Sequence, residues 1–298
     1  MNRPDPGLIA TLLADDPVWS AYALSDLQPE MASYCRWYVH VNGDASAVVL
    51  IFDGLEPPIL FAKGDSAALE AALSGATLPS QVYLSVREEH AAALARWYDH
   101  YDRRSMWRMV MEKASSEERR ANSLGAEVQR SKEIDGGRYQ ENTFNATLRE
   151  TLPLCDSTSK VDLKPRRLTS ADVGRVEALF RNGGPFTPDA FAGHQVELGV
   201  FYGVEDGRGE LAAVGGTHIV DYTARIAAIG NMYTRPDCRG RGFAGAVLGA
   251  IVDSLRADGV ETIVLNVDQR NTAARRIYER FGFIVHCPYI EGLATAIA

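Results

Sequence analysis

Tyr233–Leu255 reads YTRPDCRGRGFAGAVLGAIVDSL, a strand end running into a basic, glycine-bearing turn that opens onto an amphipathic helix. Arg239, Gly240, Arg241, Gly242, Phe243 and Ala244 fill the turn and the first helical residues. Backbone N–H groups there have no intrahelical partner, and the helix dipole turns its positive end outward. A pyrophosphate fits such a cradle. Gly240 and Gly242 permit positive φ and close approach of a ligand to the backbone, while Arg239 and Arg241 add charge that does not titrate near neutral pH.

Outward from the turn, Ala244, Val247, Leu248, Ile251, Val252 and Leu255 recur at helical spacing, and Gly259 offers a C-terminal stop. A strand is expected at Thr262–Val267. NTAARRIYERFGF follows, with Asn271 as N-cap, Ala274, Ile277, Tyr278 and Phe281 on one face, and Gly282 at the stop. The order is strand, cradle, helix, strand, helix.

With R-x-x-G-x-A at Arg239–Ala244 and N-x-x-A-x-x-x-Y-x-x-x-G-F at Asn271–Phe283, the chain from about Lys160 to its C-terminus resembles the GNAT superfamily of acyl-CoA-dependent N-acyltransferases. The resemblance implies acetyl-CoA, or another acyl-coenzyme A, as donor. It also implies a mixed α/β fold with a mostly antiparallel sheet flanked by helices. By the same analogy, strand Ala227–Thr234 presents backbone N–H groups to the pantetheine arm and one, near Met232, to the thioester oxygen. Asn231, Met232, Tyr233 and Thr234 then lie beside the arm, and Asn271, Ala274 and Arg276 complete the coenzyme-binding set. Of the seven arginines around the cradle and the next helix (Arg235, Arg239, Arg241, Arg270, Arg275, Arg276, Arg280), two or three are expected to face phosphate.

Amine attack on a thioester needs a donor for the developing oxyanion, a base for the amine and an acid for the departing thiolate. Tyr278, seven residues after Asn271 and two helical turns along the same face, is the candidate acid. The base is open. Many relatives carry a Glu early in the fourth strand, where this chain has Arg225, Ile226, Ala227, Ala228 and Ile229. His218 and Glu291 are the two candidates, each with a structural role as the alternative; His194, Asp221 and Tyr289 are lesser options.

The first half, residues 1–111, reads as a second unit. Helical patterns at Leu8–Leu13 and Pro17–Leu27 precede strands Arg36–Val41, Ala47–Phe52 and Ile59–Phe61. A helix Ser66–Leu73, a strand Val82–Leu84, a helix Glu88–Tyr98 and a strand Ser105–Met111 follow. That order repeats the C-terminal half, so tandem, degenerate GNAT-like repeats are expected, with residues 160–298 as the catalytic unit. DPVWSAYALSDL and PPILFAKGD also resemble the N-terminal halves of glycine-N-acyltransferase-like proteins. Where the first half should have a cradle it offers Phe61, Ala62, Lys63, Gly64, Asp65 and Ser66, with a carboxylate facing any phosphate, so no coenzyme is expected there. Residues 112–159, rich in charge and small polar residues, read as a linker or excursion, with a lid over the acceptor site as the functional alternative.

At 298 residues, 46% hydrophobic and 23% charged, the chain has the composition of an ordinary two-unit enzyme. The net charge of −8 falls in the half before Lys160, which argues against a nucleic-acid surface. No apolar run reaches ~20 residues and no signal segment opens the chain, so neither a membrane partner nor secretion is expected and the cytoplasm is the expected compartment. The four cysteines are scattered without a C-x-x-C pair, and no metal is expected. The favoured function is transfer of an acetyl or acyl group to the primary amine of a small molecule by direct attack in a ternary complex. A coenzyme-binding regulatory module without turnover, or a mycothiol-synthase-like transferase with a larger acceptor, are the alternatives. Oligomeric state is not legible.

Overall fold

Alternation of apolar residues organises the protein around one broad sheet. The computed structural model describes residues 4–100, 102–112, 163–189 and 191–297, so the reading of 112–159 as a linker lies outside the described residues apart from Glu112, which ends a strand. The first half gives α1 (Pro6–Ala14), α2 (Ala21–Ser25), β1 (Cys35–Asn42), β2 (Ala45–Phe52), β3 (Ile59–Gly64), α3 (Ser66–Ser74), β4 (Gln81–Arg87), α4 (Ala91–Leu94), β5 (Tyr98–His100) and β6 (Arg104–Glu112). The second half gives β7 (Arg166–Arg167), α5 (Val173–Phe180), α6 (His194–Leu198), β8 (Tyr202–Glu205), β9 (Leu211–Asp221), β10 (Ile226–Thr234), α7 (Phe243–Ala257), β11 (Thr262–Asp268), α8 (Thr272–Arg280) and β12 (Ile284–Ala296).

Two expected helices are shorter than their patterns. Only Ala21–Ser25 of Pro17–Leu27 is α-helical; the preceding turn is tied down by the Asp16 carboxylate, which accepts from the Trp19 N–H at 3.0 Å. The expected helix Glu88–Tyr98 is a 3₁₀ turn at Glu88–His90 and a single α turn, because Tyr98 opens β5 and pairs with Ala296 of β12. Tertiary sheet pairing overrides local helix preference there.

All the principal strands join in the order β1-β2-β3-β4-β12-β6-β11-β10-β9-β8-β7, with β5 beside β12. The last strands of the two halves are thereby interleaved. β6, from the first half, lies between β11 and β12, while β12, from the second, lies between β4 and β6. Most neighbours are antiparallel. The parallel exceptions are β3 with β4 over Ile59–Ala62 and β10 with β11 over Ile226–Ile229, each bridged by a helix, α3 or α7.

Period-two alternation assigns the faces. Met109, Ala227, Ile229, Ile263 and Leu265 pack under α7 and α8, together with Phe243, Val247, Leu248 and Ile251. Their neighbours Val110, Ile226, Ala228 and Val264 face the other way, against Val18 and Ala21 beside α2. Arg108, two residues before Val110 on β6, belongs to this second face.

In the first half, α3 starts behind Gly64 and Asp65, and Asp65, Ser66 and Ala67 are exposed. The Asp65 carboxylate accepts from the Ser46 N–H at 3.0 Å, and a Cβ on Gly64 would lie 2.1 Å from the Ser46 carbonyl oxygen. Trp19 donates its indole N–H to the Ala62 carbonyl at 3.1 Å and stacks on Phe61.

Candidate active site

The parallel pairing of β10 with β11 stops at Ile229 and Leu265, yet the strands run on to Thr234 and Asp268. A wedge therefore opens between them. On its other side β10 bulges against β9, with register shifts around Ala228/Ile229 and Gly230/Tyr233. Asn231 and Met232 have no register partner on either neighbour, and Asn231 sits at φ 54° in the left-handed region, which Asn tolerates better than most residues. The N–H expected to meet a thioester oxygen thus belongs to a stretch that the ladder leaves open. Asn231 is buried and donates its amide to Gln195 Oε1 at 3.0 Å, leaving its own Oδ1 unsatisfied.

At the mouth of the wedge, Gly240 and Gly242 have φ of 75° and 86°. Gly242 is the N-cap of the 15-residue α7 and supplies no side-chain cap. A Cβ at Gly240 would meet nothing within 4 Å, so the turn is open to solvent above that residue. Arg239 is exposed, donates Nε to the Thr234 carbonyl at 3.1 Å and lies over the Tyr233 ring. Phe243 is buried in the core while Ala244 is half-buried. The residues present fit a diphosphate: uncapped amides at the N-terminus of a long helix, two left-handed glycines and a cation.

Three of the seven arginines are committed elsewhere. Arg235 is held by Asp206 at 2.6 Å and Asp237 at 2.7 Å, Arg270 by Asp268 at 2.6 Å, and Arg275 by Glu279 at 2.7 Å. Their charge is neutralised, which removes them from a phosphate role. Arg276 and Arg280 are exposed and have no ion pair among the described residues. Tyr233 likewise points into the protein, donating its hydroxyl to the Gly183 carbonyl at 2.8 Å and packing edge-on to Phe180.

α8 begins as its sequence predicts, with Asn271 Oδ1 accepting from the Ala274 N–H at 3.2 Å. Tyr278 is turned inward, 7% exposed, with its ring edge-on to Phe283. Burial pushes its phenol up to about 12. It therefore stays protonated at neutral pH, and its hydroxyl has no hydrogen-bond partner among the described residues.

The two candidate bases lie on the α2 face of the sheet, where a polar recess gathers groups from both halves. His218 of β9 shares a hydrogen bond of 3.0 Å between Nδ1 and the Tyr22 hydroxyl of α2. Its ring covers Gly230: a Cβ there would lie 2.0 Å from Nε2, so only glycine admits this histidine. Burial, opposed in part by the nearby Asn231 side chain, lowers the His218 pKa to about 4, which keeps the imidazole neutral at pH 7. Glu291 of β12 accepts a hydrogen bond from the Tyr289 hydroxyl at 2.8 Å and lies 4.0 Å from Arg104, which itself reaches Tyr83 and Asp189. Burial outweighs these partners and raises the Glu291 pKa.

Between the two bases lies Arg108, 1% exposed. Its guanidinium carbon stands 5.0 Å from the Tyr22 ring, 5.3 Å from Trp19 and 5.6 Å from Tyr289. Nε and Nη1 have no hydrogen-bond partner, and no carboxylate among the described residues pairs with the charge. A buried ion without a counterion costs several kcal/mol, and desolvated cation–π contacts return ~2 kcal/mol each at best. Arg108, Tyr22, Tyr83 and Arg104 were not singled out from the sequence. The one available signal was an arginine inside the apolar strand SMWRMVM.

The lesser candidates have other occupations. Asp221 accepts from Gln28 and from the N–H groups of Thr223 and Ala224, closing a turn, and His194 is exposed at the start of α6. Among the described residues no group of three or more His, Cys, Asp or Glu is placed to hold a metal, and no helix is long and apolar enough to cross a membrane.

Residues 177–283 match the Acetyltransferase (GNAT) family model. Over 91 residues the chain is 36% identical to the mycothiol acetyltransferase of Beutenbergia cavernae, covering 28% of this chain and 29% of that protein. Over 57 residues it is 35% identical to the ribosomal protein bS18-alanine N-acetyltransferase of Haemophilus ducreyi, covering 19% and 39%. The match thus spans well under half of each curated relative. A GNAT-family acetyltransferase structure from Novosphingobium aromaticivorans superposes with a TM-score of 0.53 at 20% identity, covering 96% of this chain and 99% of that one. A Drosophila protein structure gives 0.59 at 13%, covering 98% and 96%. At these identities the likeness is one of fold, and it extends over both halves.

Proposed function

We propose, from a C-terminal half that is a GNAT-family acetyltransferase domain, that this protein transfers an acetyl or acyl group from coenzyme A to the primary amine of a small molecule by direct attack in a ternary complex. The observation that carries the reading is the wedge between β10 and β11, with uncapped helix amides at its mouth and a neutral imidazole over Gly230, the first β10 residue beyond the pairing. Coenzyme A supplies the thioester. The amides of Gly240–Ala244 and the side chain of Arg276 bind the diphosphate, and residues 230–234 with Asn271 and Ala274 line the arm.

In this reading Met232 N–H is the oxyanion donor, a group worth ~3 kcal/mol of transition-state stabilisation. His218 takes the amine proton. In the tautomer that donates Nδ1–H to the Tyr22 oxygen, Nε2 is the free acceptor over Gly230. Tyr278 is the acid for the departing thiolate in this reading; burial keeps its phenol protonated but makes it a weaker proton donor than a free phenol. Residues 1–111 are a degenerate repeat of the catalytic unit 160–298, supported by the matching β3–α3–β4 and β10–α7–β11 connections and by a carboxylate, Asp65, at the start of α3 where α7 has its glycine turn. The absence of a basic surface excess supports a small acceptor in the cytoplasm over a nucleic acid.

Calorimetry with acetyl-CoA, followed by thiol release across a panel of amines, tests the function. Coenzyme heat with turnover is expected; no heat on folded protein refutes it. Tyr278→Phe should lower kcat by ~10- to 100-fold while leaving the coenzyme Kd within about threefold, and an unchanged kcat removes Tyr278 from the mechanism.

A further inference from the structure

Arg108 is the group in the recess that protein contacts do not satisfy. It is 1% exposed, and two of its nitrogens lack any partner. Its position is defined by the rings it lies on. Tyr22 carries His218 on its hydroxyl, Tyr289 carries Glu291 on its own, and Arg108 stands over both rings. The guanidinium is therefore one aromatic ring away from each candidate base, on the same face of the sheet.

The neighbourhood explains why protein carboxylates do not quench it. Glu291 is engaged by Tyr289 and faces Arg104, while Asp189 is drawn to Arg104 at 3.1 Å. Asp16, close in sequence to Trp19, is bound by Arg87 and His286. Each nearby acid has its own cation, and Arg108 is left with π-faces, which orient a guanidinium but satisfy none of its N–H donors. Tyr22 and His218, beside it, are half-buried, whereas Arg108 itself is closed off from solvent.

We propose that the acceptor amine also carries an anionic group, a carboxylate, which pairs with Arg108 while its amino group lies at His218, so that the preferred acceptors are amino acids rather than simple amines. This rests on the acetyltransferase reading above and adds the substrate class. A carboxylate matches the planar fork of a guanidinium and supplies the acceptors that Nε and Nη1 lack. A recess built around an unpaired cation discriminates strongly, because an uncharged analogue leaves the donors unpaired.

The test uses the full-length wild-type protein with acetyl-CoA and matched acceptors: glycine, the other common amino acids, β-alanine and 4-aminobutyrate against their carboxamides and decarboxylated amines, with taurine and aminoalkylphosphonates as further arms. Thiol release is the readout, and coenzyme binding is followed separately by calorimetry. At least one carboxylate-bearing acceptor is expected to exceed its carboxamide by about 100-fold or more in kcat/KM. Arg108→Lys and Arg108→Met should shrink that ratio toward one, mostly through KM, with the coenzyme Kd unchanged. Turnover of carboxamides or simple amines equal to that of the acids overturns the inference and leaves the acetyltransferase reading intact. Preference for the sulfonate or phosphonate overturns the carboxylate assignment. Coenzyme heat without thiol release from any acceptor overturns the inference as well, whereas loss of coenzyme heat overturns the acetyltransferase reading itself. Should both variants misfold, the wild-type ratio alone decides.

Discussion

Tyr22→Phe isolates the recess from the coenzyme site. The substitution keeps the ring under Arg108, at 5.0 Å from its guanidinium carbon, and deletes only the hydroxyl that meets His218 Nδ1 at 3.0 Å. Tyr22 lies on α2, away from the turn Arg239–Gly242 that opens α7, so the coenzyme Kd should not move. Stability should fall by ~1 kcal/mol, the net value of one hydrogen bond. The catalytic effect should be larger, because that bond anchors the imidazole with its Nε2 edge over Gly230. Losing it lets the imidazole populate the wrong tautomer or turn away from Gly230, and general-base assistance worth ~10²–10⁴-fold becomes partly unavailable. We expect kcat to drop by ~10-fold or more, measured by thiol release at saturating acetyl-CoA. His218→Gln should cost more, and the double variant should cost no more than His218→Gln alone, since the two groups act as a unit. Additive losses, or full activity in Tyr22→Phe, would refute the assignment of His218 as the base.

Three further outcomes are expected. Because burial lowers the His218 pKa to about 4, the rate should fall only as pH drops through that value, and Glu291→Gln should leave this limb in place; a limb at higher pH that disappears in Glu291→Gln makes Glu291 the base. Gly242→Ala places a Cβ at φ 86° and 3.3 Å from Leu163 Cδ1, costing ~1 kcal/mol of left-handed strain, and should weaken coenzyme binding by ~5-fold in calorimetry with kcat at saturation nearly unchanged. Asp26 is raised from 3.8 to about 7 by burial, so the folded state holds its proton more tightly and stability declines as pH rises between these values. Asp26→Asn should therefore stabilise by on the order of 2 kcal/mol at pH 8, allowing for partial solvent access, and by nothing at pH 3; equal melting shifts at both pH values refute the account.

The proposed coenzyme half of the site is legible in sequence because each of its pieces is local. The left-handed Gly242 directly precedes the helix it opens, and Asn271 directly precedes the helix it caps. The phosphate arginines were read less well, since a sequence does not tell which arginines already face carboxylates; Arg235 illustrates this, held by Asp206 at 2.6 Å across a gap of 29 residues. The short α4 and the unforeseen β5 fail for a related reason: the partner that claims Tyr98 is Ala296 at the other end of the chain.

The acceptor half of the site depends on the exchange of last strands, which no local pattern announces. β6 pairs with β11 and β12 across 150 residues or more, from Glu112 opposite Thr262 to Arg104 opposite Glu291. Were β6 to close only its own half, Arg108 and Arg104 would be kept away from His218 and Glu291. Interleaved as they are, His218 comes from β9, Glu291 from β12, Arg104 and Arg108 from β6, and Tyr22 from α2. Under the proposed function the first half thus supplies Tyr22, Arg104 and Arg108 beside His218 and Glu291. An arginine that looks misplaced in the strand SMWRMVM then has a reason to be there under the proposal, because an acceptor carboxylate would complete the hydrogen bonds that its Nε and Nη1 lack.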